Sequence, residues 1–352
     1  MSGPEKKRLP TWAKALLIFL AILLLLAGVC ALCISLYLNS LLDKVNYVTH
    51  HATLSSEEAS SIAQEEWEPI PTDDTTPMEE EVTVPPLPSE PSEPQEQGDH
   101  YVNILLIGQD RRPGQGTQRS DSMILVTFNK STQAITLTSF MRDQYVNIPG
   151  YGNDKLCHAY QYGGMPLLDQ TLSDHFGVRI DGNIEVDFSG FESIIDLLGG
   201  VDVELSPAEV EYLDWEYGLE LQVGHDHLSG KDALVYARIR GLDNDYNRAG
   251  RQRKVLTALF DVYKSKDLVT MLSLLEQILP LITTDIPKDQ LVAYTLDLFP
   301  MCSGATIQQL RIPVDGTFKG GYLKVSASHR MWCQYNIDFE TNRQLLRQVF
   351  AQ

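Results

Sequence analysis

The sequence predicts a layered α/β domain with a mixed central sheet, preceded by one transmembrane helix and a disordered acidic stalk. Three observations support this prediction. A charge-free apolar run lies near the N-terminus, an acidic proline-rich stretch follows it, and strand-type and helix-type patterns alternate through the rest of the chain. With 28 Lys and Arg against 47 Asp and Glu, the formal net charge is -19. Such an acidic chain is a poor general binder of nucleic acid, because phosphate contacts need a basic surface.

The first element is the apolar run at residues 15–38, which contains no charged side chain. A helix of that length is about 36 Å long, enough to cross a hydrocarbon core of about 30 Å. Four basic residues precede the run: Lys6, Lys7, Arg8 and Lys14. The positive-inside rule therefore places residues 1–14 in the cytoplasm and the chain from about residue 39 onward outside. A cleavable signal peptide or a lipoprotein signal is the alternative, but the run is longer than a usual signal h-region.

The second element is an acidic linker at residues 39–99. Residues 51–99 contain 14 Asp and Glu and eight Pro, and no Lys or Arg occurs between Lys44 and Arg111. Such a composition buries too little apolar surface to offset the entropy of ordering the chain. The sequence therefore predicts an extended, disordered extracellular spacer, followed by one large domain at residues 100–352.

The domain is predicted from short apolar runs that end at turn residues and from apolar positions at helical spacing. Strands are expected at 102–108, 123–128, 134–139, 182–188, 201–205, 307–312 and 334–339. Helices are expected at 166–176, 191–198, 230–238, 247–265, 268–281, 288–299 and 340–350. Their alternation favours helices packed on a mixed sheet.

Basic residues are scarce in this domain and cluster in one stretch of 17 residues: Arg238, Arg240, Arg248, Arg251, Arg253 and Lys254. On a helix that begins near residue 247, Arg248, Arg251 and Gln252 would share one face. Guanidinium groups suit phosphate because they donate two parallel hydrogen bonds. The cluster predicts a phosphate-binding face, and a solvated basic surface is the alternative.

Charged residues also stand at the ends of the first three predicted strands. Asp110 ends the first strand, Asp121 begins the second, and Arg142 and Asp143 follow the third. We expect them at one edge of the sheet. Two carboxylates with waters and a phosphate oxygen are typical of a Mg²⁺ site. The pattern therefore indicates such a site, and ordinary surface salt bridges are the alternative.

Together these motifs resemble the LytR-CpsA-Psr family. The resemblance is carried, in uninterrupted order, by residues 103–110, 119–123, 141–143, 148–150, 154–156, 159–164, 186–191, 198–203, 236–240 and 245–252. It extends over about residues 102–263, and the last hundred residues are similar only in pattern. It implies an extracytoplasmic phosphotransferase with a three-layer α-β-α fold. Such enzymes move a glycopolymer, for example teichoic acid or capsular polysaccharide, from polyprenyl diphosphate to peptidoglycan.

The resemblance also implies a role for each matched residue. Asp110 and Asp121 would hold Mg²⁺. The residues implied to bind the diphosphate are Arg119, Arg142, Lys155, Arg238, Arg240, Arg248, Arg251 and Gln252. The implied catalytic residues are Asp121, Arg142, Asp143 and Arg240, with the proton accepted by Asp121 or Asp143. Asp245 would support the site. Apolar residues between the sheet and the helices would line a groove for the polyprenyl chain; Val255, Leu259 and their neighbours are candidates, and the sequence does not say which of them do so.

Two positions depart from the family pattern. Met141 replaces a common proline, and Cys157 replaces a common asparagine, but neither change removes a charged group. We expect Cys157 to be a buried structural thiol, and we leave open whether Cys302 and Cys333 form a disulfide. His225 and His227 are expected in a solvated turn rather than a metal site.

Two other functions are compatible with the same residues. A hydrolase would cleave the diphosphate with water, so only the acceptor would differ. A non-catalytic regulator of the cell envelope is a third hypothesis, although residues 1–14 are too short for a DNA-binding module.

Overall fold

The computed structural model describes residues 36–37, 39–48, 53–69, 100–111, 117–302 and 304–350. The chain divides into two compact units, residues 1–44 and residues 45–352. The predicted cytoplasmic tail and nearly all of the predicted transmembrane run at 15–38 lie outside the described residues. Within the described ranges, no helix combines the length and the hydropathy that a membrane span requires.

The second unit contains the strands and helices that position the candidate site. Its strands are β1 Asn46–Tyr47, β2 Glu68–Pro69, β3 Tyr101–Gln109, β4 Ser120–Asn129, β5 Ala134–Phe140, β6 Tyr145–Ile148, β7 Gly152–Lys155, β8 Gly182–Asp187, β9 Val201–Leu205, β10 Gly224–Leu228, β11 Thr283–Thr284, β12 Thr306–Ile312, β13 Lys319–Lys324 and β14 His329–Tyr335. Its helices are α1 Ser56–Gln64, α2 Leu156–Phe176, α3 Phe188–Leu198, α4 Pro207–Tyr217, α5 Gly230–Ala237, α6 Asp245–Lys264, α7 Leu268–Ile278, α8 Lys288–Cys302 and α9 Phe339–Phe350.

Seven strands form the central sheet in the order β1-β11-β8-β3-β4-β5-β12. The pair β3–β4 and the pair β4–β5 are antiparallel, whereas β8 and β12 run parallel to their neighbours β3 and β5. The predicted mixed sheet is therefore confirmed. Its central strands are buried on both faces, as the apolar sequences of β3, β4 and β5 require.

Helices cover both faces of the sheet. On one face, Leu105 and Leu125 pack with Leu168 of α2 and Leu346 of α9 in a single buried cluster. On the other face, the alternate residues of β3 and β4 pack with α6 and α8. This arrangement confirms the three-layer α-β-α architecture, because successive strand residues point to opposite faces and each face has its own helices.

A smaller layer flanks the second face. The antiparallel pair β9–β10 packs with α3, α4, α5 and one side of α6 in a separate cluster. His225 and His227 lie on β10 rather than in a turn, and His227 Nδ1 is 2.8 Å from Asp202 of β9. Among the described residues, no three His, Cys, Asp or Glu side chains are grouped as metal ligands.

The predicted disordered linker is wrong for residues 53–69. This segment forms α1, whose N-terminus has a capping box between Ser55 and Glu58, and it continues into β2, which pairs with β14. Ala59 is buried in the core beside α2, and the Leu54 amide donates to the Tyr162 carbonyl at 2.8 Å. The remainder of the linker, residues 70–99, lies outside the described residues.

Several boundaries differ from the prediction. The helix expected at 166–176 is the second part of α2, which is kinked at Gly163 and Gly164; Gly164 adopts φ 65° and ψ -155°, a conformation open essentially to glycine. The strand expected at 334–339 ends at Tyr335, since α9 begins at Phe339.

The cysteines give a further outcome. Cys157 is a fully buried free thiol, as expected, and burial raises its pKa. Cys333 is a second buried free thiol, and the side chain of Cys302 lies outside what the structure describes.

Candidate active site

A polar cavity of about 390 Å³ lies where β3 ends and β4 begins. Eight of the eleven predicted site residues line it: Asp110, Arg119, Asp121, Arg142, Arg238, Arg240, Arg248 and Gln252. The remaining lining residues are Gly108, Ser122, Phe188, Tyr217 and Val235. The fold therefore brings together the strand-end carboxylates and the arginine cluster, which lie more than a hundred residues apart in sequence.

The floor of the cavity depends on the close approach of two strands to α6. Gly108 pairs with Ser122 across β3 and β4, and a Cβ atom at Gly108 would lie 3.1 Å from the Ser122 Cβ. The hydroxyl of Ser122 donates to the Gln252 side-chain oxygen at 3.0 Å. This contact fixes α6 over the ends of the two strands.

Each cavity carboxylate has an arginine partner. Asp121 accepts a hydrogen bond from Arg142, and Asp110 lies 3.8 Å from Arg238, whose guanidinium also stacks over the Phe188 ring at 4.1 Å. Both carboxylates are part-exposed on the cavity wall. Two oxygen ligands leave most positions of a Mg²⁺ ion to water and substrate phosphate, which is how Mg²⁺ usually binds. The donor set fits that ion.

The arginines of the cavity carry more positive charge than its carboxylates neutralise. Arg240 is exposed, and within the described part of the chain it forms no ion pair. Arg248 is buried and lies 2.7 Å from Asp245. Burial lowers the pKa of Arg248; Asp245 opposes this, whereas the charges of Arg240 and Arg142 add to it. An anion bound here would relieve the mutual repulsion of the guanidinium groups.

Glu66 is a site residue that the sequence reasoning missed. Its carboxylate lies 2.6 Å from Arg119 Nη1, 2.5 Å from Lys155 Nζ and 3.9 Å from Arg142 Nη2. Burial alone would raise the pKa of Glu66, but Lys155, His158 and Arg119 together lower it to about 2. The available signal was the Ser55–Glu58 capping box, which marks a helix start inside the acidic stretch.

Three predicted residues do not line the cavity. Asp143 lies behind Arg142, 3.5 Å from its Nε and 3.2 Å from Lys155 Nζ, so Asp143 and Lys155 support the wall from behind. Arg251 points away from Arg248 and Gln252: it makes two 2.8 Å contacts with Asp243 and donates to the Ile239 carbonyl at 2.8 Å. The expectation that Arg251 shares their face is wrong, and its contacts instead fix the loop before α6.

An apolar groove of about 320 Å³ lies on the same face of the sheet. It is lined by Ile104 and Leu106 of β3, Val126 and Phe128 of β4, Ile184, Phe260, Tyr263, Leu275, Ile286, Leu291, Tyr294 and Leu298. The sequence left open which of Val255, Leu259 and their neighbours line such a groove, and the structure selects a neighbour. Val255 and Leu259 pack under the β9–β10 layer, whereas Phe260 lines the groove.

Comparison with known proteins identifies the family. The family model described as LytR_cpsA_psr matches residues 60–336. The chain belongs to this family. The match begins within α1, so it includes the segment that carries Glu66.

Two curated relatives of this family member carry transferase names, and a third is named a regulatory protein. TagT of Bacillus subtilis, named a polyisoprenyl-teichoic acid–peptidoglycan teichoic acid transferase, is 38% identical over 175 residues, or 48% of this chain and 54% of TagT. TagU of Oceanobacillus iheyensis, with the corresponding name, is 38% identical over 54% of this chain and 60% of TagU. The regulatory protein MsrR of Staphylococcus aureus is 37% identical over 46% of this chain and 49% of MsrR. The family member described here thus spans about half the length of these relatives.

Solved structures agree with the fold. Bacillus subtilis TagT superposes with a TM-score of 0.56 at 25% identity, over 78% of this chain and 98% of that chain. TagT with bound octaprenyl pyrophosphate lipid gives a TM-score of 0.54 at 25% identity, over 72% and 92%.

Proposed function

We propose that this family member is a membrane-anchored phosphotransferase that moves a glycopolymer from polyprenyl diphosphate to peptidoglycan. One observation carries the proposal: the cationic cavity and the apolar groove lie in line along one face of β3, β4 and α6. A lipid diphosphate is a ligand with a doubly charged head and a long apolar tail, and it matches this order of surfaces. The transferase names of TagT and TagU, and the lipid bound to TagT, support the assignment.

The cavity and the groove are in line because of the residue spacing on α6 and β3. Arg248, Gln252, Leu256 and Phe260 recur every four residues on α6, so they form one stripe about 18 Å long. Its first two residues line the cavity, and its last lines the groove. Beneath it, Gly108, Leu106 and Ile104 alternate along β3 on the same side of the sheet. On both β3 and α6, the residues that line the cavity are therefore followed along the element by the residues that line the groove.

The cavity would bind the diphosphate through its arginines. Arg119, Arg238, Arg240 and Arg248 present guanidinium groups, and Gln252 presents an amide. Asp110 and Asp121 would hold Mg²⁺ in this cavity. A bound Mg²⁺ supplies charge neutralisation for the transferring phosphoryl group. The arginines add fixed positive charge, which lowers the barrier because it does not reorganise during the reaction.

In the proposed reaction a hydroxyl oxygen of peptidoglycan attacks the phosphorus atom that carries the glycopolymer. A new phosphorus–oxygen bond forms in line with the bond to the bridging oxygen, which breaks and leaves polyprenyl phosphate. The hydroxyl proton passes to a carboxylate. We favour Asp121 as the acceptor because it lines the cavity, whereas Asp143 is held behind Arg142.

We further propose that residues 15–38 anchor the chain in the cell membrane, with the N-terminus in the cytoplasm and the domain outside. The support is the charge-free apolar run and the four basic residues before it. This location would place the domain on the side of the membrane where peptidoglycan lies.

The test uses the full chain in detergent, because residues 53–69 contribute Glu66, which contacts the cavity residue Arg119. The chain is incubated with a short-chain polyprenyl-diphosphate saccharide and peptidoglycan fragments, with and without Mg²⁺. The proposal expects polyprenyl phosphate together with a saccharide–peptidoglycan phosphodiester. Polyprenyl phosphate without the adduct would favour the hydrolase. Neither product, with no binding of the lipid, would favour the non-catalytic regulator.

A further inference from the structure

A second cleft lies on the opposite side of α6 from the candidate active site. Its volume is about 810 Å³, and its walls come from α6, β12, the start of α4 and the loop after β12. Arg253 and Lys254 of α6 face Gln309 and Arg311 of β12 across it. Gln252, the neighbour of Arg253 in sequence, faces the candidate active site. The helix thus separates two polar clefts on one face of the sheet.

The carboxylates of this cleft are already committed to other cations. Asp243 makes two 2.8 Å contacts with Arg251, and Glu209 lies 3.5 Å from Arg251. Asp315 pairs with Arg311 at 2.5 Å. In the described part of the chain, no carboxylate forms an ion pair with Arg253.

Arg253 instead contacts only neutral partners and a like charge. Its Nη1 donates to the Ser139 hydroxyl at 2.7 Å, and its Nε donates to the Gln309 side-chain oxygen at 3.1 Å. Burial, with the charge of Arg311 added to it, lowers the pKa of Arg253 to about 10. A largely desolvated guanidinium without a counter-anion is unfavourable, so this position is suited to an external anion.

The neutral lining indicates what else the ligand carries. Asn247, Gln309 and the Tyr246 phenol line the cleft, and the Arg311 guanidinium lies over the Tyr246 ring at 4.4 Å. Amide and phenol groups pair with hydroxyl groups of a sugar. The cleft is about twice as large as the candidate active site, so it has room for more than a single phosphate.

We propose that this second cleft binds an anionic saccharide, with its phosphate or carboxylate at Arg253 and its hydroxyl groups at the amide side chains. The site is separate from the diphosphate cavity and goes beyond the proposed function. If that function holds, the saccharide comes either from the glycopolymer or from peptidoglycan. Both sources would present the same kind of group to the cleft, a sugar with one negative charge.

Calorimetric titration of the full chain with glucose 6-phosphate tests the proposal. Two binding events are expected, one in each cleft. Arg253→Gln is expected to weaken one of them about tenfold or more, because a charged hydrogen bond is lost, and to leave the other unchanged. Arg240→Ala is expected to affect the other event only. Arg347→Gln removes an exposed charge from α9 and serves as the matched control.

The outcomes separate this proposal from the proposed function. If Arg253→Gln changes neither event, the second cleft is not an anion site, whatever Arg240→Ala does. If inorganic phosphate binds at the Arg253-dependent site as tightly as glucose 6-phosphate, the saccharide part is overturned. If Arg253→Gln does not fold, Lys254→Gln is used in its place. It is expected to weaken binding of glucose 6-phosphate in the second cleft severalfold. Titrations with a lipid-free phosphodiester glycopolymer and with a disaccharide-peptide fragment of peptidoglycan identify the source.

Discussion

The carboxylate of Glu66 accepts a hydrogen bond from the Arg119 guanidinium at 2.6 Å, although the two residues are 53 positions apart. Arg119 lines the cavity of the candidate active site, and Glu66 belongs to the segment that carries α1. The same carboxylate contacts Lys155 at 2.5 Å, and Lys155 in turn contacts Asp143. A segment that looks like a spacer in the sequence therefore completes the charge network behind the cavity.

Glu66→Gln is expected to destabilise the protein. The change removes one of the two counter-charges of buried Lys155 and the ion-pair partner of Arg119. A partly buried ion pair that loses one partner costs about 2 kcal/mol of unfolding free energy. Denaturant unfolding of the full chain measures this. Glu57→Gln, at an exposed position on α1 in the same segment, is the matched control. Equal unfolding free energies for both variants would show that the Glu66 contacts do not stabilise the fold.

Stability is expected to fall as pH rises from about 4 to about 7, because of Asp169. Burial raises the pKa of this carboxyl to about 7, and the hydrogen bond from Asn183 opposes the rise. Between these pH values the folded protein keeps a proton that the unfolded chain has released, so unfolding becomes easier by up to about 1 kcal/mol per pH unit. Asp169→Asn should remove this slope. Asp214→Asn, at an exposed position on α4, should retain it.

Arg240→Ala is expected to weaken diphosphate binding without lowering the thermal midpoint. The side chain is exposed and has no ion pair in the described part of the chain, so folding does not depend on it. A charged hydrogen bond to phosphate is worth about 1.5–3 kcal/mol, which corresponds to at least about tenfold in affinity. Lys264→Ala, at the far end of α6, is the control. If Arg240→Ala binds the diphosphate with unchanged affinity, the arginine cluster is a solvated basic surface rather than a phosphate-binding site.

Asp121→Ala is expected to abolish the Mg²⁺-dependent part of turnover, with a rate loss of roughly 10²–10³. The variant removes a proposed metal ligand and the hydrogen-bond partner of Arg142. Turnover measured against Mg²⁺ concentration separates these effects, because Asp110→Ala should shift the Mg²⁺ requirement while leaving Arg142 paired. A normal Mg²⁺ response in Asp121→Ala would refute the metal assignment. Asp261→Ala, an exposed position on α6, controls for loss of one acidic side chain.

Adjacent residues of α6 should differ in their effect on lipid binding. Phe260→Ala enlarges the apolar groove, so it should weaken binding more for a long polyprenyl chain than for a short one. Leu259→Ala should weaken both equally and lower stability, because Leu259 packs under the β9–β10 layer. The measurement is the affinity of each variant for polyprenyl lipids of increasing chain length. Equal dependence on chain length in both variants would contradict the position of the groove.

The sequence predicted the sheet and most of the cavity for a clear reason. Strands β3, β4 and β5 are rich in apolar and β-branched residues, and charges stand at their ends, so topology brings Asp110, Asp121 and Arg142 together. The faces of α6 were harder to predict. Arg248, Gln252 and Phe260 face one side, whereas Arg251, Val255 and Leu259 face another, and helical spacing does not say which cluster meets the sheet.

Composition was misleading in the acidic segment. A window average over 51–99 combines α1 with the proline-rich stretch, so the mean predicts disorder for both. The ordered part is short, and its stability depends on tertiary contacts: Ala59 in the core, Trp67 near β14, and Glu66 between cations. Helices of nine residues depend on such packing rather than on propensity.

Residues 53–69 are held to the domain by contacts at one end of a thirty-residue connection and by the covalent chain at the other. A single cut within 70–99 would therefore turn an intramolecular contact into a two-component equilibrium. Mass action would then apply: dilution would release the N-terminal piece, and added peptide would restore it. A preparation nicked in this stretch should lose Glu66 from the charge network behind the cavity in a concentration-dependent way, even though every residue of the domain is still present.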